Sequence, residues 1–169
     1  VVVDQHAAHE RIVYEKIKKE IYNKKIKTQI LLIPVVIDLD KSTLNVFRDS
    51  LDRAKDYGLV IEPFGTDSVV VREIPGILSD ANVKSLAMDI INEMIEHNDS
   101  ISVEEKINKI CSKMACHGSI RAGREMQITE MNDLLRKMET TPFSGQCNHG
   151  RPTYVELKLN DIEKLFGRK

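Results

Sequence analysis

The 169-residue chain has no tryptophan and only four phenylalanines and four tyrosines. With so few rings, recognition of single-stranded nucleic acid by base stacking is not indicated. It has no excess of one charge either: 25 Lys and Arg stand against 26 Asp and Glu, a net charge of −1. Affinity for duplex DNA comes largely from cations that neutralise phosphates, and this chain has no surplus to offer. The Lys-rich stretch of Lys16, Lys18, Lys19, Lys24, Lys25 and Lys27 reads as a solvated helix face rather than a reading surface. No apolar run is long enough to cross a membrane, and no repeat, low-complexity linker or Gly-rich phosphate-binding loop is visible. The three cysteines are an odd number without a CxxC pair. They do not form a disulfide framework, and with no signal peptide recognised they point to a reducing compartment.

What is present suffices for a proper core, since 41% of residues are hydrophobic. The pattern predicts an α+β fold, with a small mixed sheet and packed helices. Val1-Val2-Val3 reads as the end of a strand, residues 7–25 as a helix, and Gln29 to Leu39 as an extended segment. Ser42 is expected to cap a helix with Phe47, Leu51 and Ala54 on one face, ended by Gly58. Leu59 to Phe64 and Ser68 to Ile74 flank Gly65-Thr66-Asp67, a hairpin signal. Two further helices carry Leu86, Ala87, Ile90, Ile91 and Met94, then Ile107 to Met114. Thr129 is expected to cap a helix bearing Met131, Leu134, Leu135 and Met138. A strand over Thr153 to Leu159 and a last helix, Asp161 to Phe166, with Asn160 and Glu163 as a capping box, complete the pattern.

Asp4-Gln5-His6-Ala7, then Glu10 and Glu15, is the segment that carries chemistry. His6 and Glu10 are four residues apart and project from one helix face, and Asp4 precedes them in the turn. Read alone, the segment favours a plain explanation: Asp4 caps the helix, and Glu10 and Glu15 pair with lysines such as Lys18 and Lys19. Val13 and Ile17, however, continue the line of His6 and Glu10, so the polar pair heads a core-facing stripe. Buried ionisable groups need partners.

Cys116, Cys147 and His149 are the candidate partners. Gly145-Gln146-Cys147-Asn148-His149-Gly150-Arg151-Pro152 reads as a tight loop in which Cys and His, one residue apart, can ligate one ion or two neighbouring ones. Cys111 is roughly 140° around its helix from Cys116, so it is read as a small core hydrophobe and Cys116 as a ligand candidate. Thiolate and imidazole select zinc, whereas carboxylates with an open position also accept manganese or magnesium. The candidate metal ligands are thus Asp4, His6, Glu10, Cys116, Cys147 and His149, a set that suggests an open or two-ion catalytic site. Glu15 is assigned to support the site from behind, for instance by orienting Arg151, which is itself a candidate for phosphate contact or a structural ion pair. His9 and His117 are read as exposed or structural. Because residues 38–105 carry no ligand candidate, they read as an insertion between 1–37 and 106–169.

These residues resemble the MutL mismatch-repair family. Asp4, Gln5, His6, Ala7, Glu10 and Glu15 match its endonuclease signature without a gap. Ala115-Cys116-His117-Gly118-Ser119-Ile120-Arg121-Ala122-Gly123 looks like its second motif, Cys147 to Pro152 like its third, and Phe166-Gly167-Arg168 like its short C-terminal motif. The third motif usually has proline where Asn148 stands; that position is not a ligand in the resembled motif, so a change in loop stiffness rather than loss of metal is expected. The resemblance covers the whole chain and implies a C-terminal domain of a bacterial, cytoplasmic family member. It further implies an N-terminal ATPase domain and linker beyond these residues. The implied activity is metal-dependent nicking of one strand of duplex DNA by an endonuclease using Asp4, His6, Glu10, Glu15 and Arg151. Zinc is the implied bound ion, with manganese or magnesium for nicking, and homodimers and other mismatch-repair proteins are the implied partners. Residues 1–37 with 106–169 would form a dimerisation and metal-site part, and 38–105 an inserted helix-hairpin-helix regulatory part.

Gln29-Ile30-Leu31-Leu32-Ile33-Pro34 resembles the sliding-clamp-binding pattern Gln-x-x-Leu-x-Pro of repair proteins, with Gln29, Leu32 and Pro34 at its fixed positions. An extended peptide would place apolar side chains in a pocket. A buried strand is the plain alternative, because four of these six residues are aliphatic. The alternative for the chain as a whole is a non-catalytic, zinc-stabilised dimerisation module, which would not need both carboxylates of the first motif.

Overall fold

Strand β1 (Val2–Val3) leads into α1 (Gln5–Tyr22), followed by β2 (Thr28–Asp38), α2 (Lys41–Arg48) and α3 (Leu51–Ala54). A 3-10 turn precedes β3 (Val60–Phe64) and β4 (Ser68–Pro75), and then come α4 (Val83–Glu96), α5 (Val103–Gly118), α6 (Ile128–Thr140), β5 (Tyr154–Val155) and α7 (Leu159–Leu165). This computed structural model describes residues 1–48, 50–96, 101–120 and 123–167. Arg121 and Ala122 of the second motif and Arg168 of the C-terminal motif lie outside the described residues. The architecture is α+β. Its described strands pair antiparallel throughout, in a two-stranded and a three-stranded sheet, rather than in the single mixed sheet expected. Two compact units emerge, one of Val1–Ile12 with Ser119–Lys169 and one of Val13–Gly118.

The Val13–Gly118 unit is organised by β4, the central strand in the order β2-β4-β3. Ser68, Val69, Val70 and Val71 are all buried, as a strand covered on both faces requires. Ile37, Phe47, Leu59, Val69, Ile74, Leu86, Ile90, Ile91 and Met114 are fully buried in the same cluster. Gly58 adopts φ +78° to end the 3-10 turn before β3, the left-handed conformation that glycine allows most cheaply. The cap of α2 is Asp40 rather than Ser42: its Oδ1 accepts from the Thr43 N–H at 2.9 Å, and the Ser42 hydroxyl bonds to that carboxylate. Hydrogen bonds from Ser42 and Thr43 hold the Asp40 carboxyl well below the usual carboxylate range. The helix expected from Ser42 to Gly58 is divided, since α2 ends at Arg48 and α3 begins at Leu51.

Strand β2 lies at the sheet edge and does not pair evenly. Ile30 faces Glu73 and Val35 faces Val71, so Leu31 to Pro34 bulge out against one residue of β4. Leu32 is 97% exposed and Ile33 79%. A buried strand, the plain reading of this segment, does not form there.

In the other unit, Val2 pairs with Val155 and Val3 with Tyr154. Ala8, Met126, Leu134 and Met138 form a small core, with Val3, Ile12 and Ile120 packed on it. Helix α6 starts after Gln127, whose N–H bonds to Glu130 at 2.8 Å; this reciprocal contact displaces Thr129 from the cap role. The strand expected over Thr153 to Leu159 shortens to Tyr154–Val155, because α7 starts at Leu159 with Lys158 N–H held by Asp161 at 3.1 Å. The Asn160 and Glu163 capping box is therefore two residues too late.

Gly118 gives a test of packing in the Val13–Gly118 unit. An added Cβ there would lie 2.5 Å from Leu78 Cδ2 and 3.3 Å from Val13 Cγ1. Leu78 is 1% exposed, so its side chain would have to shift within the packed interior. Alanine is the better helix former by up to about 1 kcal/mol, but overpacking costs typically about 1–3 kcal/mol. Gly118→Ala is therefore expected to lower stability in chemical denaturation, and an unchanged or raised midpoint would show that the packing yields.

Candidate functional site

The site is built where β1 ends. The Asp4 N–H is still paired to the Thr153 carbonyl at 2.9 Å, while its Oδ1 accepts from the N–H groups of His6 and Ala7 at 3.0 Å each. Asp4 therefore caps α1, as the plain explanation required. Neither bond uses Oδ2, and the residue is exposed, so capping leaves room for a second role.

His6 and Glu10 are one turn apart, with His6 Nε2 3.8 Å from Glu10 Oε2. Glu10 is only 4% exposed. His6 Nδ1 meets the Ile120 carbonyl at 2.7 Å, and a carbonyl can only accept, so the proton is assigned to Nδ1. In the neutral ring the lone pair is then on Nε2, on the side of Glu10, which is how metal-binding imidazoles are commonly oriented. His9, by contrast, accepts the Ile120 N–H at its Nδ1 at 3.3 Å. Burial lowers its pKa below the ordinary histidine value, helped by Lys137, Arg124 and His6.

The Cys147 loop closes on itself. Cys147 N–H donates to the Arg151 carbonyl at 2.7 Å, and Gly150 N–H to the Cys147 carbonyl at 3.0 Å. Gly150 stands at φ +79°, a conformation an L side chain would strain. The Cys147 sulfur accepts from the N–H groups of His149 at 3.4 Å and Arg151 at 3.3 Å. Thr153, fully buried, ties the loop's exit to the Ser144 and Gly145 carbonyls. His149 and the Arg151 side chain are exposed.

Two side chains absent from the sequence-based site join this loop to α1. The Arg11 guanidinium donates to the Gln146 carbonyl at 2.7 Å and the Cys147 carbonyl at 2.9 Å. Asn148 Nδ2 donates to Glu10 Oε1 at 3.1 Å, a more specific role than loop stiffness. Nothing in local spacing could signal these bonds, since the partners are 135 to 138 positions apart.

Imidazole, carboxylate and thiol in one unit are donors that suit zinc, and the carboxylate and amide oxygens suit manganese or magnesium. The Asn148 Oδ1 is buried without a hydrogen-bond partner, as an atom reserved for an ion or its water would be. Chemically the residues fit a metal. Among the described residues, no three His, Cys, Asp or Glu side chains are grouped as a ready-made cage. Cys116 and Glu15 belong to the Val13–Gly118 unit, where Cys116 is exposed in the last turn of α5 and Glu15 is half-buried. Cys111 is fully buried there, its thiol pushed up to about 12 by burial, in keeping with its reading as a core residue. His117 is structural, with Nε2 2.8 Å from Asp89 Oδ2.

The fold and this arrangement define an α+β domain with a donor-rich helix start facing a Cys-His loop. The family model described as the MutL C terminal dimerisation domain matches residues 1–126. The DNA mismatch repair protein MutL of Rhodopseudomonas palustris (strain BisA53) is 51% identical over all 169 residues, which cover 28% of that protein. The proteins of the same name from Nitrobacter hamburgensis (strain DSM 10229 / NCIMB 13809 / X14) and Caulobacter vibrioides (strain NA1000 / CB15N) are 52% and 51% identical over the whole chain, which covers 28% and 26% of them. The chain thus spans about a quarter of the length of these curated relatives, and it belongs to the MutL C-terminal dimerisation domain family.

The Arg11 link is testable without any activity. Hydrogen bonds from a charged donor contribute about 1.5–3 kcal/mol each way of partnering, so Arg11→Ala should destabilise the loop by about that much. Proteolysis within residues 145–152 should accelerate, and Arg11→Lys, which cannot reproduce the two-pronged contact, should restore only part. Unchanged cleavage in Arg11→Ala would show that the loop holds without it.

Proposed function

We propose that this chain is the endonuclease and homodimer-forming part of a mismatch-repair protein, nicking one strand of duplex DNA with divalent metal. The observation that carries the reading is the docking of the Cys147 loop on the start of α1, with Glu10 buried and bonded to Asn148. Asp4, His6, Glu10, Cys147 and His149 would hold zinc or manganese (or magnesium). A bound divalent ion would polarise the phosphate and activate water for attack. His6, with its Nδ1 proton held by Ile120, offers Nε2 on the Glu10 side, and Asp4 supplies a carboxylate at the helix start. Arg151, exposed in the loop, would contact a backbone phosphate. Homodimer formation follows the family description, and apolar side chains exposed on α6, Met131 and Leu135, are suited to it. Residues 38–105 would serve as the inserted regulatory part.

The rival reading is a zinc-stabilised, non-catalytic dimerisation module, and the Asp4 cap favours it, because capping alone explains that carboxylate. One variant separates the two. Asp4→Asn keeps a capping oxygen but not the charge, so under the catalytic reading the full-length protein should lose nicking of supercoiled plasmid in manganese by about 100-fold or more while melting normally. Elemental analysis of wild type should show bound zinc. Undiminished nicking by Asp4→Asn would rule out the ligand role of Asp4, failure of the wild type to nick would favour the rival, and absence of any transition metal would count against both.

With a net charge of −1, the domain has little electrostatic hold on DNA and needs delivery. Gln29 to Pro34 would provide it by docking on a sliding clamp, a reading supported by the bulge that exposes Leu32 and Ile33. Gln29→Ala with Leu32→Ala should reduce clamp-stimulated nicking several-fold and leave metal content and melting unchanged. Because such contacts are small, the difference should be read with the clamp loaded on DNA. A double variant that responds fully to the clamp would reduce this segment to an edge strand.

A further inference from the structure

Asn148 is held at one end only. Its Nδ2 donates to Glu10 Oε1 at 3.1 Å, which fixes the amide's orientation, since the flipped amide would set its oxygen against a carboxylate. Its Oδ1 is then buried and has no hydrogen-bond partner. Native proteins seldom keep a buried acceptor unmet, because the group has lost its water and gained nothing for it. The neighbours that share this region are Glu10, to which Asn148 bonds, and Cys147 and His149, its neighbours in sequence.

We propose that Asn148 belongs to the metal site itself, with Nδ2 holding the Glu10 carboxylate and Oδ1 giving a neutral oxygen to a divalent cation or to its water. The inference rests on the metal reading under Proposed function. It also adds a preference that reading lacks. Thiolate and imidazole favour zinc, whereas carboxylate and amide oxygens favour manganese and magnesium. An amide oxygen beside Glu10 therefore tilts this end of the site towards the harder ions.

The test is direct binding by the 169-residue chain after chelator stripping. Manganese chloride is titrated with free Mn2+ read by electron paramagnetic resonance, and zinc chloride is titrated against a chromophoric chelator. Asn148→Ala should weaken manganese binding by ~10-fold or more, in the range seen for residues that support metal ligands, and weaken zinc much less. Asn148→Asp returns an oxygen to the same place but loses the bond to Glu10, so it is read by ion preference: its manganese-to-zinc preference should not fall below that of wild type. If Asn148→Ala melts early, the Asp variant alone decides, since its manganese-to-zinc preference must not fall below that of wild type. Unchanged manganese affinity in Asn148→Ala, equal loss of both ions, or a manganese-to-zinc preference in Asn148→Asp below that of wild type would overturn the assignment. Wild type that binds neither ion would instead refute the metal reading on which it rests.

Discussion

Glu10 is a carboxylate with only 4% of its surface exposed, and the arrangement around the start of α1 follows from satisfying it. Leaving one member of a buried charged group without partners costs about 3–5 kcal/mol, a large share of a domain's stability. Asn148 meets one oxygen at 3.1 Å, and the His6 ring stands 3.8 Å from the other. The loop that brings Asn148 is fastened by Arg11, which holds two of its carbonyls, and by its own turn around Gly150. The β1–β5 pairing and the buried Thr153 then set where that loop leaves.

The Val13–Gly118 unit works on a different principle. Its order comes from an apolar cluster around β4, with Phe47, Ile90, Ile91 and Met114 fully buried. Against that background the bulge in β2 stands out energetically. Leu32 is 97% exposed, and burying a leucine is worth about 1.5–3 kcal/mol, so the fold leaves an apolar group unused. An edge strand that exposes aliphatic residues is a template for association.

Under the function proposed above, activity would depend on several parts at once: a net charge of −1 would offer duplex DNA little electrostatic hold, and among the described residues the donors are not grouped as a preformed cage.

Much of this was readable from residue order. Helical and strand periodicities located most elements, because a core-facing stripe leaves its period in the chain: Leu86, Ile90 and Ile91 on α4, or the run Val69 to Val71 on β4. Cap positions were misjudged where two polar residues compete, as with Asp40 over Ser42 and Gln127 over Thr129, since the winner depends on the turn that precedes the helix. His6 and Glu10 were legible as a pair because helix geometry alone places them. What residue order could not decide was which distant groups would meet them. Arg11 and Asn148 find partners more than 130 positions away, and only the folded chain sets those distances. The same holds for Gln29 to Pro34: its composition suits burial, yet where β2 pairs unevenly with β4, Leu32 and Ile33 are left exposed while Leu31 packs on the core. Sequence by itself determined the elements and the chemistry available, since periodicity and side-chain type are local. Tertiary structure decided which polar groups are buried, and therefore which must be partnered, because burial is a property of the whole packing.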